Sequence, residues 1–297
     1  MVFFILLIAL SSVVAIQNGI RVTDQNKYPY YVMIGNPHVC GGTLLSYDPA
    51  YILTAAHCVD APVHPTSYVR DKNPYFALYN NIHRTHQKAT AIVDWAIHPL
   101  YNISGNIDIR YDAAIVKLAS PLMPSKRIKR VPFWTPAIAS KPPTQAEMIG
   151  FGYTDIEGQL AQDLQTLPLD ITKFDSVGKE YLESRSSTEP HIACHGDSGG
   201  PLVVYYPTVN PQTNETSDMP YVLGDLTRIF GARDVSPDIL TCPVSIASAL
   251  HDDSTQNTVS QVFTNSIALI DWISNVTEIA VEDLRDPFYE PPCKLYF

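Results

Sequence analysis

Cys194-His195-Gly196-Asp197-Ser198-Gly199-Gly200-Pro201 sets one serine among three glycines, a cysteine, a histidine, an aspartate and a proline. An alcohol is a weak nucleophile, so the backbone around a reactive serine has to do several jobs. Glycines let the chain turn tightly beside it and let a substrate approach closely. The N–H groups of Gly196 and Ser198 can then point at an oxyanion developing next to the serine, at roughly 3–4 kcal/mol per donor. Any three of these residues would make an ordinary Gly/Ser/Asp turn. The whole octet points to acyl transfer.

A serine of this kind needs a base. Thr54-Ala55-Ala56-His57-Cys58 lies at the end of an apolar run, downstream of Cys40-Gly41-Gly42. A histidine with a pKa near 6.5 can take the serine proton and return it to a leaving amine. Tyr111-Asp112-Ala113-Ala114-Ile115-Val116-Lys117-Leu118 supplies an acid ahead of a second apolar run. A lone aspartate there is usually a turn residue or strand cap. Its meaning comes from the order His57, Asp112, Ser198, because a buried carboxylate fixes the imidazole tautomer and stabilises the imidazolium.

These three segments resemble the signature regions of the trypsin/chymotrypsin family of serine proteases. The resemblance runs from about Ile16 to about Val276. His98-Pro99-Leu100-Tyr101-Asn102, Gly150-Phe151-Gly152 and Asp271-Trp272-Ile273 fit it too. It implies an all-β fold of two six-stranded Greek-key barrels with a C-terminal helix and a catalytic cleft between the barrels. His57, Asp112 and Ser198 would be the catalytic triad, with Gly196 and Ser198 forming the oxyanion hole.

The same resemblance implies the disulfides Cys40–Cys58 and Cys194–Cys242, and leaves Cys293 as a spare thiol near the end of the chain. A bridge closing about 18 residues contributes about 3 kcal/mol by chain entropy. The resemblance further implies an activation pair, in which an amino group freed at Ile16 inserts and meets Asp197. Ile16 directly follows the small Ala15, so removal of a leader would itself create that terminus. Ile192, Ala193, His195, Thr227 and Gln261 would line or close the substrate pocket. An apolar Ile192 at its base disfavours a charged P1 side chain, the residue before the scissile bond, which would lose water without gaining a partner. Gln261, where the family commonly has glycine, narrows the pocket. Thr227 stands where the family has the serine that supports the aspartate, and Leu226–Gly231 departs from the family's Ser-Trp-Gly pattern.

Composition agrees with this reading. The chain has 297 residues, 45% of them hydrophobic and 17% charged, with 24 prolines, 14 glycines and 17 tyrosines. That is enough for a sizeable core built from short strands and many turns. Strands are expected at 28–34, 43–47, 51–54, 74–79, 89–97 and 113–118, then at 146–151, 167–171, 201–206, 220–226 and 260–264. A helix is expected over 266–278. Residues 207–219 read as a long exposed loop, and Lys126–Arg130 as a solvated basic connector. A formal net charge of −10 disfavours nucleic acid as a partner, because phosphate binding needs a basic face, and none is expected.

Residues 1–15 (MVFFILLIALSSVVA) are apolar, uncharged and too short to span a bilayer. They read as a signal peptide. The expected organisation is therefore a signal peptide at 1–15, an N-terminal barrel at 16–128, a C-terminal barrel and helix at 129–280, and an extension at 281–297. The product is a secreted extracellular monomer with no membrane association after signal removal. Its partners are protein or peptide substrates and protein inhibitors. Sequons stand at Asn102, Asn214 and Asn275. No cofactor or metal is expected: His83 and His86 have no third and fourth ligand at useful spacing, and the stretch 71–87 has few of the acids of the family's calcium loop.

Two rivals remain. A catalytically silent homologue acting as a binding protein would usually have a broken triad. An esterase of the α/β-hydrolase type would place serine before acid before histidine.

Overall fold

The computed structural model describes residues 16–290, apart from 18, 36–38, 61–75, 104, 140, 155–157, 187–190, 234–241 and 246–258. Residues 1–15 with the signal-peptide reading, the first part of the calcium-loop stretch, and Cys293 lie outside the described residues.

A short β1 (Ile20–Arg21) precedes the first barrel. That barrel uses β2 (Tyr31–Gly35), β3 (Val39–Leu44), β4 (Tyr51–Thr54), β5 (Phe76–Tyr79) and β6 (Lys88–Ile97). After a small hairpin of β7 (Asn102–Ile103) and β8 (Asn106–Ile107), β9 (Ala114–Leu118) completes it. The closed order is β2-β3-β4-β9-β6-β5. Closure leaves no edge strand and packs alternate side chains inward. Ile34, Leu44, Ile52, Leu53 and Ile115 are all within 1% of full burial.

The second barrel uses β10 (Gln145–Gly150), β11 (Gln165–Lys173), β12 (Leu182–Arg185), β13 (Pro201–Val209) and β14 (Thr216–Phe230). A two-stranded pair, β15 (Ala232–Arg233) and β16 (Val244–Ser245), follows, and then β17 (Ser260–Phe263). The sheet runs β11-β10-β13-β14-β17-β12, and pairing of β12 with β11 closes it into six strands, with β1 added outside β11. Met148, Leu167, Leu182, Leu202, Leu223 and Phe263 fill its interior.

Helix α1 (Ser266–Thr277) starts where the Asn265 side chain accepts the Ile267 N–H at 3.1 Å, and ends at Glu278 in the left-handed conformation. It buries Leu269, Ile270 and Ile273. Trp272 meets the His98 ring edge-on at 4.8 Å, and His98 stacks on Tyr111 at 4.7 Å. Helix α1 thus packs against the first barrel, beside the aspartate that follows Tyr111.

Three expectations need correction. Residues 207–219 are not a loop: β13 and β14 stay paired from Pro201↔Asp225 out to Val209↔Thr216, leaving only 210–215 as a turn. The extension contains a second helix, α2 (Val281–Arg285), whose Leu284 is buried. The basic connector is only partly solvated. Lys126, Arg127 and Lys129 are exposed. Arg130 instead donates to the carbonyl oxygens of Asp283, Leu284, Asp286 and Tyr289 at 2.8–3.2 Å.

Candidate active site

β4 and β9 are antiparallel neighbours, with Thr54 opposite Ala114. Each continues into a tight 3-10 turn beside the barrel rim: Ala56–Cys58 after β4, and Ile109–Tyr111 before Asp112 and β9. That pairing brings two residues 55 positions apart into contact. Asp112 Oδ1 accepts the His57 backbone N–H at 2.9 Å, and its Oδ2 lies 2.7 Å from His57 Nδ1. With Nδ1–H donated to the carboxylate, Nε2 is left as the acceptor of the ring. From the second barrel, the Thr227 hydroxyl of β14 donates to the same Oδ2 at 2.5 Å.

Burial alone would push the 3%-exposed Asp112 up. The facing His57 charge, the Thr227 hydroxyl and the His57 N–H outweigh it and hold the carboxyl below its ordinary value. Burial pulls His57 down, but the charge and hydrogen bond of Asp112 raise it above its ordinary value. Each group favours the charged form of the other.

The octet turn is tied to both barrels. Gly199 N–H donates to Leu226 O at 2.7 Å, and Gly41 N–H of β3 donates to Ser198 O at 2.7 Å. Gly196 sits at φ +90°, a region closed to ordinary side chains. Among the described residues, the N–H groups of Gly196 and Ser198 have no acceptor. Donors left unpaired in a folded turn are available to a ligand oxygen. Disulfides brace both walls: Cys40–Cys58 next to His57, closing 18 residues, and Cys194–Cys242 next to the serine turn, closing 48.

Asp197 is fully buried, and its oxygens accept the N–H groups of Gly152 (2.8 Å) and Cys194 (2.9 Å). Burial pushes its carboxyl up to about 7, against those two bonds. A Cβ on Gly152 would lie 2.5 Å from the Asp197 carboxyl, so only glycine fits there. Ile16 is also fully buried, in the core of the second barrel, and Gln17 N–H donates to Ile192 O at 2.9 Å. The segment after Ile16 therefore lies against the chain that leads into the octet.

A cavity of about 660 Å³ opens over these groups. His57, Asp112, His195, Gly196, Ser198 and Thr227 line it, together with Tyr101, Ile107, Ile109, Leu226–Ala232 and Pro243. Of the expected pocket residues, His195 and Thr227 reach it. Ile192, Ala193 and Gln261 are buried behind it and do not line it. The Gln261 amide is fully enclosed, without a hydrogen-bond partner for either polar atom.

Sequence reasoning missed Tyr101, Arg228, Ile229 and Phe230 as cavity residues, and Asp225 behind it. Asp225 is fully buried on β14, takes the Thr264 hydroxyl on Oδ1 and leaves Oδ2 unpartnered. An acid in an otherwise apolar strand run, Tyr221-Val-Leu-Gly-Asp225-Leu, was the available signal. The sequon residues Asn102, Asn214 and Asn275 are all exposed. Among the described residues, the one His/Cys/Asp/Glu group close enough to share an ion is Cys40, His57 and Cys58, and both its sulfurs are joined in a disulfide.

Two closed six-stranded barrels, with a histidine–carboxylate pair from one and a glycine-bound serine turn from the other, define the class: a serine protease of the chymotrypsin fold. The family model described as Trypsin matches residues 16–208, and the chain belongs to that family. It is 31% identical to granzyme M of Rattus norvegicus over 67% of this chain and 81% of that protein. It is 31% identical to chymotrypsin-like elastase family member 1 of Macaca fascicularis over 56% of this chain and 62% of the relative. A trypsin of Sarcophaga bullata is 28% identical over 63% and 74% of the two chains.

Proposed function

We propose that this chain is a secreted serine endopeptidase that cuts peptide bonds through an acyl-enzyme, with P1 small or apolar. The observation that carries the reading is the His57–Asp112–Thr227 array beside a serine turn whose Gly196 and Ser198 N–H groups are unpaired.

Ser198 Oγ attacks the scissile carbonyl while His57 Nε2 takes its proton. The tetrahedral oxyanion is held by Gly196 and Ser198 N–H. Asp112 keeps Nε2 as the basic nitrogen and stabilises the imidazolium. His57 then gives its proton to the leaving amine, the C–N bond breaks, and water repeats the sequence to free Ser198.

Among the described residues, Asp112 is the one acid lining the cavity, and it is already bound by His57 and Thr227. A P1 lysine or arginine would therefore enter without a counter-charge. Buried Gln261 and Ile192 leave little depth for a long side chain. A terminus created at Ile16, by cleavage after Ala15, would pair with Asp197 and replace the two N–H groups as its principal partner.

Cleavage-site profiling of a diverse peptide mixture tests this, with the secreted protein beside Ser198→Ala. Serine-dependent cuts after small or apolar residues are expected. Cuts after lysine or arginine would overturn the pocket reading and keep the mechanism. No cleavage by a folded protein that begins at Ile16 would favour the binding-protein reading.

A further inference from the structure

Arg228 follows Thr227 on β14 and lines the catalytic cavity. Among the described residues, it is the one arginine or lysine that lines the cavity. Its side chain is exposed, and no acid pairs with it among the described residues. Its charge reaches the centre of the site: it pulls His57 down, alongside burial and against Asp112, and pulls Tyr101 down against burial and Asp112. This guanidinium stands at the mouth of the cleft in a protein of net charge −10. At physiological salt, charges more than about 8 Å apart are largely screened. A bound peptide would therefore feel this local cation more than the overall negative charge.

The strand supporting Arg228 has an open edge. β14 is covered by β13 only as far as Asp225, opposite Pro201, and Leu226 still bonds back to Gly200 and Gly199. From Thr227 to Phe230, β14 pairs only with β17 among the described residues. The edge left uncovered can take an extended peptide as an added strand. Leu226–Ala232 line the same cavity as Cys194 and Pro243. A substrate laid along this edge would pass its side chains beside Arg228. With a rise of about 3.3 Å per strand residue, an arginine side chain covers two or three successive substrate positions.

We infer that Arg228 is a specificity-determining residue that selects peptides with an aspartate or glutamate at P2 to P4, on the acyl side of the scissile bond. The guanidinium offers a planar pair of N–H donors to a carboxylate and is fully charged across the working pH range. This inference rests on the reading of the site as a peptidase.

The test uses the full secreted protein and matched peptides that share one P1 residue and differ only in aspartate or lysine at P2, P3 or P4. The aspartate-to-lysine ratio of kcat/KM should be about three- to tenfold at the preferred position in low salt, and should shrink in 0.5 M salt. Arg228→Gln should bring the ratio near one, and Arg228→Glu should carry it below one. The ratio is internal to each variant, so a general loss of activity leaves it readable. A ratio near one in the unmodified enzyme, or one unchanged by Arg228→Glu, would overturn the inference alone. Absence of any Ser198-dependent cleavage by folded protein would overturn it together with the peptidase reading.

Discussion

Asp225 stands two residues before Thr227, and the chain has placed a second carboxyl behind its histidine. Burial lifts that carboxyl to about 7, with the Asp112 charge adding to the rise and the Thr264 hydroxyl opposing it. Its ionised form raises His57 in turn. Asparagine at 225 keeps an oxygen for the Thr264 hydroxyl and removes the charge. Asp225→Asn should therefore move the acid limb of kcat/KM to lower pH, by about half a unit. An acid limb that stays in place would show that Asp225 is electrostatically remote from His57. Stability has its own sign. A carboxyl near 7 in the folded chain and near 4 when unfolded binds its proton more tightly when folded. Its unfavourable contribution is absent below pH 4 and grows as pH rises to 7. Urea unfolding at pH 5 and pH 8 should show a smaller loss of stability with rising pH in Asp225→Asn than in the parent.

At the level of elements, the C-terminal segment is held by a cation on carbonyl oxygens. Arg130 bonds four backbone oxygens between Asp283 and Tyr289, and Phe133 N–H donates to Leu284 O at 3.0 Å. Removing that guanidinium should cost about 2 kcal/mol and speed amide exchange in 281–290, with little change at the barrel strands. Arg130→Lys should recover only part of the loss, because one ammonium lacks the planar fork. Exchange in 281–290 that is unaltered in Arg130→Ala would show that Leu284 packing alone secures α2. The strands that sequence patterning missed have physical reasons of their own. Beyond the barrel rim, the β13–β14 ribbon meets water on both faces, so 207–219 lost the apolar alternation that marks a half-buried strand. β12 is four residues long, and of these only Leu182 is apolar.

Across the whole molecule, the two barrels contribute different parts of one site, and the disulfides fasten each part to its own barrel. Cys40–Cys58 ties the His57 turn to β3, which also holds Ser198 O through Gly41. The pair Cys40→Ala, Cys58→Ala should lower unfolding free energy by about 3 kcal/mol in urea titration, as expected for releasing an 18-residue loop. A loss far below that would mean that the barrel closure already restricts the turn in the unfolded ensemble.

The sequence by itself determined the order His57, Asp112, Ser198, and its resemblance to the family implied the class of fold and the disulfide partners. The segments that carry the resemblance are local signatures, written in neighbouring residues whose backbone demands are specific. It did not show that Ile192 and Gln261 lie behind the cavity, that Arg228 stands at its mouth, or that Asp225 sits near the histidine. The placements of Arg228 and Gln261 depend on how β14 and β17 register after Leu226, where the ladder shifts by a residue, and that of Ile192 on its bridge to Gln17. A one-residue shift sends each side chain to the opposite face of the sheet, so only the folded barrel decides which of them a substrate would meet.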